Sequence, residues 1–178
     1  MAAVGVIETA RLVLRPFRDD DIAAAHAVWG DAEVMRHSID GPTSSLEGTS
    51  EHMARHRAHD RKHGFAFRAI VERRTGTLIG VGGLLNMPAD WNAVEVGYRL
   101  RTESWGRGYA TEAARAWLRA GFRDLGLEQI TGVVGADNPA SVRVLEKSGL
   151  TYRGEARYHG FDVLHYAAER EPWLAARG

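Results

Sequence analysis

The chain has 178 residues, 44% of them hydrophobic and 26% charged, the composition of a soluble globular protein with one sizeable core. Its 23 basic and 23 acidic side chains cancel, so bulk charge gives no case for nucleic acid, and all but two of the basic residues are arginine, a bias that reads as genome composition. The absence of cysteine excludes disulfides, thiolate metal ligands and an acyl-cysteine intermediate.

The first residues are mildly apolar but are broken by Glu8 and Arg11, without the pattern of a signal peptide. No run approaches a membrane span, so a cytoplasmic location is expected. Residues 11–17 alternate polar and apolar and predict a half-buried strand. Asp19, Asp20 and Asp21 suit a helix start before residues 22–29, with Gly30 at the end. Residues 38–50 are rich in Ser, Thr, Gly and Pro and predict a loop, with a second helix over about 46–62. Residues 65–72 and 78–85 predict two strands, and Gly80, Gly82 and Gly83 in the second mark a bulge or a close backbone approach.

After a loop at 87–92, residues 94–100 alternate as a strand and 109–125 repeat as a helix. That helix places Ala110, Ala113, Ala114, Trp117, Gly121 and Leu125 on a buried stripe and leaves Glu112, Arg115, Arg119 and Arg123 outside. A short strand follows at 129–135. Asn138 then has the form of an N-cap with Pro139 at the first helical position, and Gly149 suits the helix stop. Residues 151–157 and 161–167 predict a hairpin around His159-Gly160. No repeat or linker divides the chain, which reads as one α/β domain over residues 1–178.

The stretch Ser104-Trp-Gly-Arg-Gly-Tyr-Ala-Thr-Glu-Ala113 joins a strand to a helix start through two glycines. Gly106 and Gly108 tolerate positive φ and close ligand approach, and the first helical N–H groups point outward with the positive end of the dipole. Arg107 can add a charge-assisted bond. The unit reads as a pyrophosphate cradle. It is no ATP/GTP P-loop, since G-x-x-x-x-G-K-[ST] does not occur, and Thr111 stands where the dinucleotide fingerprint needs glycine.

Trp105-Gly-Arg-Gly-Tyr-Ala110 resembles the CoA loop of the GNAT acetyltransferases, [QR]-x-x-G-x-[GA], at Gly108 and Ala110, with Trp105 where Gln or Arg is usual. That departure is similar to the RimJ/RimL-like branch, the ribosomal-protein N-terminal acetyltransferases and their relatives. The likeness extends to Glu8-Thr-Ala-Arg-Leu-Val-Leu-Arg-Pro-Phe17, to Glu95-Val-Gly-Tyr98 and to Asn138-Pro-Ala-Ser-Val-Arg-Val-Leu-Glu-Lys-Ser-Gly149, in the family's order.

The resemblance implies a GNAT-type α/β fold, with a mixed, mostly antiparallel sheet flanked by helices. It also implies acetyl-CoA as donor and a primary amine as acceptor. Carried over, pantetheine would meet the backbone of Tyr98, Arg99 and Leu100. The pyrophosphate would meet Gly106, Arg107, Gly108, Tyr109, Ala110 and Thr111, and an N–H near Gly97 or Tyr98 would polarise the thioester carbonyl. Asn138 is an N-cap and a candidate CoA contact.

Without cysteine or a Ser-His-Asp signature, direct transfer in a ternary complex is the economical chemistry. An α-amine near 7.7–8.0 is roughly a tenth neutral at pH 7, whereas a lysine near 10.4 is under about a thousandth. Glu95, on the strand face opposite Val94, Val96 and Tyr98, is the candidate base, directly or through water; the plain alternative is a solvated strand glutamate or a structural hydrogen bond. Some GNAT branches carry an acidic tyrosine where Leu145 stands, which leaves Ser141 as the candidate acid, against an ordinary polar residue near a helix start.

His52, His56, His59 and His63 recur on one helical stripe, but no carboxylate or orienting group supports a metal, and the stripe reads as a solvated or acceptor-facing helix face. Trp29, Trp91, Trp117 and Trp173 read as core or interface anchors, and His159 and His165 as structural. The expected function is acetylation of a protein N-terminus by a monomer or homodimer that binds neither nucleic acid nor membrane. A small-amine acetyltransferase (amino acid, polyamine or antibiotic) and a non-catalytic acyl-CoA sensor are the alternatives.

Overall fold

The computed structural model describes residues 3–177. Its strands are β1 (Ile7–Glu8), β2 (Leu12–Arg15), β3 (Phe67–Glu72), β4 (Leu78–Asn86), β5 (Val94–Leu100), β6 (Gln129–Val134), β7 (Thr151–Tyr158) and β8 (Phe161–Glu169). Its helices are α1 (Ile22–Trp29), α2 (Ala32–Met35), α3 (Leu46–His63), α4 (Tyr109–Arg123), α5 (Pro139–Ser148) and α6 (Arg170–Arg177). The strands form one open sheet in the order β1-β2-β3-β4-β5-β6-β8-β7, antiparallel at every junction except β5 with β6. The expected mixed, mostly antiparallel α/β architecture is the observed one.

Each face of the sheet buries its own apolar cluster. On one, Trp117, Leu118 and Phe122 of α4 pack with Leu84, Val96, Leu100 and Ile130. On the other, Val28 and Trp29 of α1 and Met53 of α3 pack with Ala69, Val71 and Val81. The α4 stripe is buried as its spacing predicts, and Arg115, Arg119 and Arg123 are exposed. Glu112 departs from the expected outer face, being half-buried and tied to the N-terminal segment.

The turn chemistry works as expected at both ends of α5. Asn138 accepts from Ser141 N at 3.1 Å, Pro139 opens the helix, and Gly149 ends it at φ 94°. His159 and Gly160 both take positive φ, 48° and 83°, to close the β7–β8 hairpin. The three aspartates directly precede α1, as expected. They form a short 3-10 turn, and Asp21 accepts from the guanidinium of Arg15 at 2.7 and 2.8 Å and from Arg18 N at 2.7 Å. Two short elements, β1 and α2, and the terminal α6 lie outside the predicted set.

The glycines of β4 mark close approach, as predicted. A Cβ on Gly83 would run into the Ala66 carbonyl, and one on Gly97, its partner across β4–β5, would lie 2.5 Å from Phe67 Cζ. The bare Gly97 leaves room for the Phe67 ring, and the bare Gly83 lets the Ala66 backbone approach β4. The predicted irregularity is a register shift between β3 and β4 at Ile70/Val71.

Candidate active site

The sheet opens at β5. That strand pairs with β4 from Gly80↔Leu100 to Asn86↔Val94, but with β6 through the single bridge Glu95↔Thr131. Beyond Glu95 the two strands part, so one edge of residues 97–99 lacks a strand partner. Backbone polar groups left in a cleft need water or a ligand. The Leu100 carbonyl, at the end of this edge, accepts from Trp105 Nε1 at 2.7 Å. The tryptophan that departs from the loop pattern therefore anchors the turn to the strand it leaves.

The turn itself has the geometry of a cradle. Gly106 and Gly108 take φ of 70° and 79°, and Gly108 is the residue that begins α4 without any side-chain cap. Among the described residues, no acceptor meets the backbone N–H groups of residues 106–111. Arg107 is exposed, 4.9 Å from the Tyr109 ring centroid and 3.6 Å from Glu72. The Tyr109 side chain is buried, and its hydroxyl donates to Glu72. That bond, followed by one from Thr75, holds the Glu72 carboxyl below its usual range. Ala110 and Thr111 are half-buried in the first helical turn.

A second chain segment braces the cradle. Arg11 Nη1 donates to the Arg107 carbonyl at 2.9 Å, and Arg11 Nε donates to Glu112 at 2.6 Å. Thr9 Oγ1 and Arg11 N donate to the other Glu112 oxygen at 2.6 and 2.9 Å. Burial raises the Glu112 carboxyl, but the Thr9 and Arg11 bonds outweigh it and hold the group low.

The two faces of β5 carry different chemistry. On the α4–α5 face, Tyr98 reaches across the opening, and its hydroxyl lies 2.9 Å from Ser141 Oγ and 3.3 Å from the Ser141 carbonyl. Burial raises the Tyr98 hydroxyl well above its ordinary range, so it remains protonated. Leu145, one turn further along α5, is buried against Gly132 and brings no polar group.

On the opposite face lie Glu95, Gly97 and Arg99. Burial pushes the Glu95 carboxyl up to about 7, against the Arg99 charge and a bond from Tyr158. The same surroundings push Tyr158 up to about 12, burial first. Arg99 donates to Ser38 Oγ at 3.0 Å, and its guanidinium lies 5.6 Å from the Phe67 centroid. His56 stacks on Phe67 at 5.3 Å and on Trp29 at 5.7 Å. Burial, with His52 and Arg99 nearby, lowers His56 to about 3, so its ring is neutral at physiological pH.

The histidine stripe therefore splits. His52 and His56 face this groove with Trp29, whereas His59 bonds the Phe65 carbonyl through Nδ1 at 2.7 Å and packs on His63. Among the described residues no His/Asp/Glu group has the arrangement of a metal site. No described helix is long and apolar enough to cross a membrane.

Glu95, Gly97 and Tyr98 lie within one strand turn, and Ser141 and Asn138 reach the same opening from α5. The cradle residues continue from it through Leu100 and Trp105. Phe67, Tyr158 and the Arg99 side chain were not singled out by sequence. Gly97 was the available signal for Phe67, since a bare position in mid-strand leaves room for a large ring. Tyr158 had none. Two surface hollows, one beside His26 and Arg101 and one beside Asn86 and Gln129, lie apart from this groove.

Residues 11–151 match the model of the acetyltransferase (GNAT) domain. The chain is 32% identical to the uncharacterized N-acetyltransferase YoaA of Bacillus subtilis, over 86% of this chain and 87% of that protein. It is 26% identical to the spermidine N(1)-acetyltransferase of Escherichia coli K12, over 83% and 77%. The solved structure of RimL, a ribosomal L7/L12 α-N-protein acetyltransferase in complex with CoA, superposes with a TM-score of 0.79 at 21% identity, covering 92% of this chain and 97% of that one.

Proposed function

The chain belongs to the GNAT acetyltransferase family, as an acetyl-CoA-dependent N-acetyltransferase, and we propose that it transfers acetyl directly to a primary α-amine in a ternary complex. In this reading the pyrophosphate of acetyl-CoA binds the free N–H groups of residues 106–111 and the Arg107 guanidinium. The pantetheine runs along the open edge of Tyr98, Arg99 and Leu100, near the Asn138 N-cap. The thioester carbonyl rests against an N–H near Gly97 or Tyr98, which favours the charge that develops on oxygen.

The amine nitrogen attacks that carbonyl and forms the new C–N bond. The amine proton passes to Glu95, directly or through water. The C–S bond breaks with its electron pair on sulfur, and Ser141 delivers a proton to that thiolate. The Tyr98 hydroxyl is placed to resupply Ser141. The products are free CoA and the N-acetyl amine.

The opening between β5 and β6, with the unpartnered N–H groups of residues 106–111 at one end and Glu95 at the other, is the observation that carries this reading. An N-terminal α-amine near 7.7–8.0 is roughly a tenth neutral at pH 7 and asks little of a base, whereas a lysine or polyamine near 10.4 asks far more. The RimJ/RimL-like motifs favour a protein N-terminus as the carrier of that amine. A small amine is the second reading, favoured by a charged side chain on the groove floor, Arg99. The test is release of free CoA thiol from acetyl-CoA with a panel of N-terminal peptides and small amines. Turnover on α-amines is expected. CoA binding without turnover on any amine would overturn the enzyme reading in favour of a sensor.

A further inference from the structure

Arg99 is poorly matched by its surroundings. A guanidinium offers five N–H donors, and among the described residues this one has a single hydrogen-bond partner, Ser38 Oγ. Among the described residues it closes no salt bridge, although Glu95 and Asp40 are near enough to act on its charge. Burial by surrounding protein lowers its pKa, the sign of a half-buried cation without a paired anion. Its remaining donors are not sealed in, since no Arg99 atom is among the buried side-chain groups lacking a partner.

Glu95 and Arg99 share one face of β5, two residues either side of Gly97. At about 3.3 Å per residue their Cα atoms stand roughly 13 Å apart. The two side chains bear opposite charges and leave a gap between them instead of closing as an ion pair. The Phe67 ring fills the floor of that gap, and the neutral rings of His52 and His56 border it.

We propose that this gap takes a primary amine that also carries a carboxylate, with the amine at Glu95 and the carboxylate on Arg99 and Ser38. The proposal rests on the transfer function above and names its acceptor class. A zwitterion set between a carboxylate and a guanidinium meets complementary charge at both ends, and a guanidinium binds a carboxylate through two parallel bonds. A polyamine would bring a second cation against Arg99. The same amino-carboxylate chemistry occurs in a free α-amino acid and in a peptide whose first residue is Asp or Glu.

The experiment compares matched acceptors in acetyl-CoA turnover: a free amino acid with its amide, an Asp-initiated peptide amide with its Asn-initiated twin, and spermidine. In the wild-type protein the carboxylate member of at least one pair should exceed its neutral twin by about tenfold or more in kcat/KM, and the pair that shows it identifies the source. Arg99→Met should collapse that ratio towards one, and Arg99→Lys should retain part of it. Because a ratio is read within each variant, a general loss of activity does not imitate the result. Equal or better use of the neutral twins or of spermidine by the wild type overturns the proposal while the transfer function stands. So does a preference that survives in Arg99→Met. An absence of turnover on every amine overturns the parent function instead, and the acceptor class with it.

Discussion

The hydroxyl of Tyr98 lies 2.9 Å from Ser141 Oγ, so the strand that precedes the cradle and the helix that follows β6 share one proton-bearing pair. Burial keeps the phenol protonated, and the serine stands between it and the opening in the sheet. The usual tyrosine position is the buried Leu145, so this pair is the available proton source on that face. Ser141→Ala is expected to lower kcat by about tenfold or more with little change in KM for acetyl-CoA. Tyr98→Phe should lower it less, since the serine hydroxyl remains. Steady-state kinetics check both, and an unchanged kcat in Ser141→Ala removes Ser141 as the acid.

Glu95 gives the pH dependence. Its carboxyl is raised to about 7, and the base form is the ionised one, so kcat/KM should fall as pH drops through about 7. Glu95→Gln should flatten that acid limb as well as lower the rate. The stability effect has a definite sign. A raised carboxyl binds its proton more tightly in the folded state, so its favourable contribution is complete below the unfolded value near 4.3 and is lost as pH rises through about 7. Glu95→Gln should therefore melt higher than wild type at pH 8, by on the order of 1–3 kcal/mol, and match it at pH 4. Thermal melts at the two values decide this.

Gly108 sits at φ 79° at the mouth of the cradle, where an added Cβ would meet only Arg11 Nη2 at 3.5 Å. Space is therefore not what forbids a side chain there; the backbone conformation and the ligand are. Gly108→Val is expected to cost about 1–2 kcal/mol in backbone strain and to abolish CoA binding by filling the phosphate site. Calorimetric titration with CoA measures the second effect, and unchanged affinity would refute the placement of the pyrophosphate.

The Thr9–Arg11–Glu112 clamp gives a prediction at a distance from the chemistry. Glu112→Ala removes the acceptor of three bonds and frees Arg11 from the turn whose carbonyl it holds. Partial exposure limits the expected loss of stability to about 1–2 kcal/mol. CoA affinity should fall several-fold, because residues 106–108 lose their brace. Chemical denaturation and CoA titration on the same sample separate the two.

Much of this was legible in one dimension because it is local. The α4 repeat, the Asn138-Pro139 start, the Gly149 stop and the His159-Gly160 turn each depend on residues within a few positions of one another. So does the cradle. The acids at Asp19–Asp21 were legible as a helix start, but the bond by which Asp21 holds Arg15, six residues upstream, was not. The four-residue α2 has too few positions to show a period. The pairs that furnish the site join Tyr98 to Ser141, Arg99 to Ser38 and Arg11 to Glu112, separations of 43, 61 and 101 residues. No spacing rule reaches that far. The four family motifs carried the reading across those gaps for the donor side, and no motif did so for the groove of Phe67, His56 and Tyr158.

The single bridge between β5 and β6 has a kinetic corollary. With the cradle on the α4 side and the groove on the α3 side, the sheet acts as a wall with one slot. With acetyl-CoA and the amine bound as proposed, each substrate has its own doorway, and neither has to leave before the other's product can. The two substrates should accordingly bind in either order, so a dead-end amine analogue should inhibit noncompetitively against acetyl-CoA, where an obligatory acetyl-CoA-first entry would make it uncompetitive.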